Sequence, residues 1–394
     1  MDALILSCST GGGHNAAGTA IKEELEVRGH HVTMMDPYEL VSHKLAEEVG
    51  NIYVKMVQHS PKLFGFVYSL GGIVRNIPGK SPVYYANIRV AKKLRQYLQK
   101  SPADVILMPH LYPAELITYL KKKGVLLPPT IFIATDYVCI PFTEETNCDY
   151  YVVPGKAQMA DFIRRGIPRE KLRPYGIPVS RAFDEEIDPM LAREVLGLDP
   201  DRYYALLTGG SIGAGDMKKT IQILLRKLKR NKPKGTLIVV CGNNEKLYQH
   251  LQKEYMTSKY ADKLILIRKT NQMALYMKAC DLFLSKPGGL SSTEAAVVKT
   301  PYIHMNPIPG CESKNITYFS KTGMSLAVRH PSLELTMALK KLDKPENVQK
   351  MRKAQMTNIP QDARSKICDW LEALIERKQK YNDNRKPTIT LADW

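Results

Sequence analysis

The sequence has no run approaching the roughly 18–20 apolar residues of a membrane span, so no segment is predicted to cross a bilayer. Cysteine never occurs as C-x-x-C: Cys8, Cys139, Cys148, Cys241, Cys280, Cys311 and Cys368 are scattered. That spacing removes zinc-ribbon and dithiol-redox sites. Several of these cysteines lie in apolar strand-like runs and read as small core residues in a reducing cytosol. The N-terminus carries one short apolar run, 3–6, with no basic region before it, and does not read as a signal peptide. No RNP, KH or zinc-finger pattern is present, so nucleic acid is not expected as a partner. Acidic residues are the scarce charge, with 39 Asp and Glu against 57 Lys and Arg and a formal net charge of +18. The excess points to a polyanionic partner, either an anionic membrane surface or a phosphorylated substrate.

What is present is a repeated pattern of strand, glycine-rich turn and helix. At 394 residues the chain is long for one core, and two domains are expected. The first copy opens the chain: an apolar strand at 3–7, then Gly11-Gly12-Gly13-His14, then a helix from about 15 to 28. The second follows a strand at 203–207 with Gly209-Gly210-Ser211-Ile212-Gly213-Ala214-Gly215 and a helix from about 216. Glycines let the backbone approach an anion, and the helix start offers unpaired N–H groups and the positive end of its dipole. Around these turns, short apolar strands at 104–108, 130–134, 150–153, 236–241, 264–267, 281–285, 302–305 and 326–328 alternate with helical stretches, the pattern of parallel sheets covered on both faces. Gly11-x-Gly13-x-x-Ala16 with Asp36 also fits a dinucleotide fingerprint. A His aimed into the crevice and a second glycine turn with no role argue against a dehydrogenase.

Residues 38–100 break the alternation. Phe64, Phe66 and Tyr68 sit in an apolar stretch with basic ends, and Arg89, Lys92, Lys93, Arg95 and Lys100 follow. Aromatics interleaved with cations suit a lipid interface; core helices with a solvated basic face are the plainer alternative.

A third turn, Ser285-Lys-Pro-Gly-Gly-Leu-Ser-Ser-Thr-Glu294, is hydroxyl-rich. Its Glu has two readings. Ser291 and Glu294 fit a capping box, or the Glu294 carboxylate accepts two hydroxyls of a ribose.

These turns, with Pro307-Ile-Pro-Gly-Cys-Glu-Ser-Lys-Asn315, Ala134-Thr135-Asp136 and Gly176-Ile-Pro-Val179, resemble the GT-B glycosyltransferases of family 28. The resemblance is to the branch of monogalactosyldiacylglycerol synthases and processive diacylglycerol glucosyltransferases, over roughly residues 3–375. It implies an α/β GT-B fold of two Rossmann-like domains facing across a cleft: 1–179 for acceptor and membrane docking, 180–360 for the UDP-sugar, and a C-terminal helix and tail at 361–394 that returns to the first domain. It implies an inverting hexose transfer from a UDP-sugar to diacylglycerol or a glycolipid, with no bound metal or other cofactor, at the inner face of the plasma membrane. His14 would be the general base. Gly12, Gly13, Gly209, Gly210, Ser211, Met273, Gly289, Leu290, Ser291 and Glu294 would bind the nucleotide, and Cys311, Glu312 and Asn315 would face the sugar. Asp136, with Phe64, Phe66 and Tyr68, would serve the acceptor side. Cys311 stands where the branch usually has Gln, a departure bearing on the donor sugar. A GlcNAc transferase on a polyprenyl-diphosphate lipid, a GT-B epimerase and a non-catalytic membrane-binding protein of the same fold remain as alternatives.

Overall fold

The computed structural model describes residues 1–8, 12–49, 88–209, 217–231, 234–330 and 333–383. Its strands form two six-stranded, wholly parallel sheets. The first comprises β1 (Asp2–Leu6), β2 (His31–Met35), β3 (Val105–Met108), β4 (Thr130–Ile133), β5 (Tyr150–Val152) and β6 (Leu172–Arg173), in the order β2-β1-β3-β4-β5-β6. Its helices are α1 (Gly12–Val27), α2 (Ile88–Lys100), α3 (Leu111–Lys122) and α4 (Lys156–Arg164). Every residue of β3 and β4 is buried, as continuous apolar strands sandwiched by helices require. Val90, Leu94, Leu116 and Leu120 cover one face, and Ile21 and Leu25 cover the other.

Helices α5 (Arg181–Asp184) and α6 (Pro189–Val195) lead to the second sheet. It holds β7 (Tyr204–Thr208), β8 (Thr236–Val240), β9 (Leu264–Ile267), β10 (Leu282–Ser285), β11 (Tyr302–Met305) and β12 (Leu326–Val328), ordered β12-β11-β10-β7-β8-β9. Counted from β7, this is the doubly wound order 3-2-1-4-5-6. Around it lie α7 (Met217–Asn231), α8 (Glu245–Tyr255), α9 (Met273–Ala279), α10 (Gly289–Val298), α11 (Cys311–Lys321), α12 (Leu333–Leu342) and α13 (Pro345–Asn358). The last helix, α14 (Ala363–Asp383), returns to the first sheet, where Ile367, Cys368, Leu371 and Ile375 join the core beneath β1 and β3.

Charge and backbone conformation hold that return. The Arg364 guanidinium donates to Glu24 on α1 at 2.8 Å and to the Val179 carbonyl at 3.1 Å, and lies 3.0 Å from Asp184. Arg28 pairs with Glu24, Asp369 and Glu372. Gly176 sits at φ +107°, and a Cβ there would lie 2.8 Å from that of Ala363. Both its backbone angle and its space favour glycine.

The structure corrects one local expectation and adds detail at three other points. Helix α1 begins at Gly12, so His14 lies in its first turn and not ahead of it. Asp36 caps a short 3-10 turn, Pro37–Leu40, accepting from the Tyr38 N–H at 2.9 Å, which gives it a structural role within its own loop. The two-residue β6 was unforeseen, being too short for any periodicity to show. Helix α2 turns Val90, Ala91 and Leu94 inward and leaves Lys92, Lys93, Arg95 and Lys100 exposed. Its apolar side is thus taken by the protein core, and only its basic face is available to a surface. Phe64, Phe66, Tyr68, Gly210 and Ser211 lie outside the described residues.

Candidate active site

In open α/β sheets, ligands bind beyond the C-terminal strand edge where the strand order reverses. In the first sheet that point lies between β1 and β3. His14 follows β1; Pro109 and His110 follow β3. The His14 Nδ1 lies 2.8 Å from the Pro109 carbonyl and 2.9 Å from Thr135 Oγ1. A carbonyl only accepts, so Nδ1 carries the hydrogen and donates to it, and the Nε2 lone pair is left for a substrate proton. Burial lowers the pKa of His14 below its ordinary 6.5, partly offset by the Asp136 charge and the Pro109 carbonyl. The imidazole is therefore neutral near pH 7. His110 packs edge-on against it at 4.5 Å between ring centres. Its Nδ1 accepts from the Tyr112 N–H at 3.1 Å, and burial holds it well below the usual histidine range.

A small pocket adjoins this point. His14, Thr135, Asp136 and Thr143 give it polar groups, and Leu111, Phe132, Ala134, Val138, Ile140 and Phe162 give it apolar wall.

In the second sheet the order reverses between β7 and β10, where a small pocket is lined by Thr208, Gly209, Ser285, Lys286 and Asn306, among others. Lys286 pairs with the buried Glu312 at 2.8 Å, and the other Glu312 oxygen accepts from the Ile308 N–H at 2.8 Å. Beside it, helix α10 starts after Gly288, with no side-chain cap. Ser291 is therefore the third helical residue and Glu294 the sixth, which overturns the capping-box reading. The Pro287-Gly288 turn starts the helix three residues earlier than a cap at Ser291 would. Glu294 has no hydrogen bond or ion pair among the described residues. Burial raises its pKa from 4.5 to about 7.

The two sheet edges meet. A Cβ built on Gly13 would touch Leu290 at 3.6 Å, and one on Gly289 would lie 1.9 Å from the Thr135 carbonyl oxygen. Tyr137 donates its N–H to Asn315 at 2.9 Å, and Asn315 donates to Asp136 at 2.8 Å.

Two family models cover most of the chain. The monogalactosyldiacylglycerol (MGDG) synthase family matches residues 14–179, and the glycosyltransferase family 28 C-terminal domain matches residues 204–367. The chain belongs to glycosyltransferase family 28. Among its relatives, the processive diacylglycerol beta-glucosyltransferase of Staphylococcus carnosus (strain TM300) is 27% identical over 292 residues, 74% of this chain and 72% of that protein. The enzyme of the same name from Bacillus licheniformis is 25% identical over 382 residues, 95% of this chain and 97% of the relative. The structure of S. aureus MnaA with UDP superposes with a TM-score of 0.64 at 14% identity, covering 95% of this chain and 97% of that one. The fold of this family 28 glycosyltransferase is accordingly GT-B.

Within it, Gly12, Gly13, His14 and Asp136 stand on the first edge, and Gly209, Gly289, Leu290, Ser291 and Glu294 on the second. Met273 begins α9, half-buried. Cys311 begins α11 near Asp136, Glu312 and Lys286, and burial keeps its thiol protonated, with a pKa well above 9.0. Asn315 is fully buried and Glu312 nearly so, each already hydrogen-bonded within the protein. Thr135, Tyr137 and Lys286 were given no role from sequence, although Thr135 and Lys286 sit inside motifs that drew attention. The lone Asp-x-Asp, Asp199-Pro200-Asp201, is spent on its own turn, with Asp199 accepting from the Asp201 N–H at 3.0 Å.

Proposed function

We propose that the protein is an inverting glycosyltransferase that moves a hexose from a UDP-sugar to diacylglycerol or a glycolipid at a membrane surface. The observation that carries this is His14. Its Nδ1 is committed to Pro109 and its Nε2 has no hydrogen bond among the described residues, at the point where the two sheet edges meet. The acceptor hydroxyl approaches from the first sheet, beside the partly apolar cavity next to His14 and Asp136. Its oxygen attacks the anomeric carbon as its proton passes to His14 Nε2. The bond from that carbon to the β-phosphate oxygen breaks, and UDP leaves with the electron pair. In-line attack inverts an α-linked donor to a β-glycoside.

On the second sheet, Glu294 accepts the ribose hydroxyls, and Gly209 with the start of α10 faces the diphosphate. Lys286, which lines the same cavity as Gly209, supplies positive charge to the leaving group in place of a metal. The relatives' names supply diacylglycerol as acceptor and glucose as donor sugar. Among the described residues no helix is long and apolar enough to cross a membrane. The basic outer face of α2 supports electrostatic docking on the anionic inner leaflet of the plasma membrane.

The test is incubation with a panel of UDP-sugars and diacylglycerol in vesicles of increasing phosphatidylglycerol content, with products read by mass and by anomeric proton coupling. A β-hexosyl diacylglycerol, formed faster with anionic lipid and slower with salt, is expected. A product formed only on an acceptor that is neither diacylglycerol nor a glycolipid, or an α-linkage, would overturn the reading.

A further inference from the structure

The segment Thr135-Asp136-Tyr137 leaves β4 in the first unit but ends inside the second. Tyr137 is 6% exposed and belongs to the core between α10 and α11. Its ring stacks on Tyr318 at 5.3 Å and meets Phe319 edge-on at 4.9 Å, and its hydroxyl lies 2.7 Å from Thr293 Oγ1. Asn315, fully buried, uses its whole amide on this junction. The carbonyl accepts from the Tyr137 N–H at 2.9 Å, and the two N–H groups donate to Asp136 Oδ1 at 2.8 Å and to the Pro287 carbonyl at 3.0 Å. One side chain thereby ties the strand end beside His14 to the turn that starts α10.

Only the absence of a side chain at Gly289 permits the approach, since any Cβ there would overlap the Thr135 carbonyl. Thr135 in turn contacts His14 through its hydroxyl, and the Asp136 charge acts on the same imidazole. The geometry of the base thus depends on whether the second unit grips this segment.

We infer that Asn315 is a positioning residue: with Tyr137 as its plug, it clasps the two units together and so sets Thr135 and Asp136 against His14. This role differs from a contact with the donor sugar, because every polar atom of the amide is already used. The inference rests on the transferase reading for its kinetic consequence but not for the clasp itself, and the two are measured separately.

Amide hydrogen exchange of residues 133–139 reports the clasp without any substrate. In Asn315→Ala, protection of the Tyr137 N–H is expected to fall at least about tenfold, as local opening no longer breaks a buried contact. Unchanged protection would overturn the clasp. In steady-state assays the same variant is expected to lose about 100-fold or more in kcat while its Kd for UDP stays within about threefold, the signature of a transition-state rather than a binding defect. Tyr137→Phe keeps the plug, and its kcat should stay within about tenfold of wild type. A selective loss of UDP-sugar affinity with kcat unchanged would instead place Asn315 on the sugar. Should Asn315→Ala unfold, a loss of exchange protection in Tyr137→Leu, which removes the ring contacts of the plug, confined to 133–139 supports the clasp, and none there refutes it. If the wild type transfers no sugar, the transferase reading fails while the exchange result still decides the clasp.

Discussion

Replacing Glu294 with Gln should make the protein more stable and a poorer binder of UDP. The carboxyl has no partner among the described residues, and burial raises its pKa from 4.5 to about 7. At about 1.4 kcal/mol per pH unit, that difference amounts to about 3–4 kcal/mol. The side chain is partly in contact with water, so this is an upper bound. The native state binds the proton more tightly than the unfolded chain does. The destabilisation is therefore absent below about pH 4.5, grows as the pH rises and is complete above about pH 7. Glu294→Gln removes it, so the variant should melt a few degrees above wild type at pH 8, at about 2–4 °C per kcal/mol, and the two should converge near pH 4. Ribose hydroxyls donating to the carboxylate reverse the balance. Hydrogen bonds to a charged group contribute about 1.5–3 kcal/mol each, so losing the charge should weaken UDP binding by about 10- to 100-fold at pH 8. Binding also draws the proton off, so wild-type affinity should rise by up to about tenfold per pH unit between pH 5 and 7, and the variant's should not. The nucleotide's own phosphate titrates identically against both proteins, so the ratio of the two affinities isolates Glu294. Calorimetric titration and thermal melting at pH 6 and pH 8 suffice. UDP affinity within twofold of wild type, or a variant that melts no higher at pH 8, would refute the assignment.

Three further outcomes follow from the structure. His14→Ala should lower kcat by about 10²–10⁴ with UDP binding retained. In the wild type at saturating UDP-sugar, where Glu294 is already engaged, the acid limb of kcat/KM for the acceptor should lie below pH 6.5, because burial lowers this histidine; a limb above that value would remove His14 as the base. Arg364, 6% exposed, faces Glu24 and Asp184. Arg364→Leu leaves Asp184 uncompensated and Glu24 with Arg28 alone, and should cost about 3 kcal/mol in urea denaturation; an unchanged midpoint would show that α14 is held by its apolar side alone.

The parallel sheets were legible because strands buried on both faces are continuous apolar runs, and β3, β4, β7 and β8 are all of that kind. The glycine turns were legible because each follows such a strand. What escaped was every contact whose chemistry belongs to the backbone or spans the two units. The partner that fixes the His14 tautomer is a proline carbonyl 95 residues away, and a carbonyl leaves no mark on residue type. Asn315 bonds to a main-chain N–H 178 residues earlier, so nothing local distinguishes it from a sugar-binding amide. The capping box failed for a different reason. S-x-x-E is a statement about helix register, and the preceding Pro-Gly turn moved that register by three residues.

The cleft's polar groups divide by whether they are already satisfied, and this bears on how a donor is recognised. Glu294 has no partner among the described residues, so hydroxyls brought to it add hydrogen bonds at no loss of existing ones there. Glu312 holds Lys286 and the Ile308 N–H, and any sugar hydroxyl it accepts must share or displace one of them. An exchange of one hydrogen bond for another is nearly neutral in free energy. On the proposed function, affinity is therefore expected to come from the nucleoside end of the donor, with the groups around the hexose setting its orientation. Cys311 reinforces the division. Its thiol is held protonated by burial and is only a weak donor or acceptor, so it adds little binding where an amide would have bonded two hydroxyls. Lys286 links the two halves: moving from Glu312 toward the diphosphate would strengthen only as negative charge develops there, which places its contribution in the transition state and not in the bound complex.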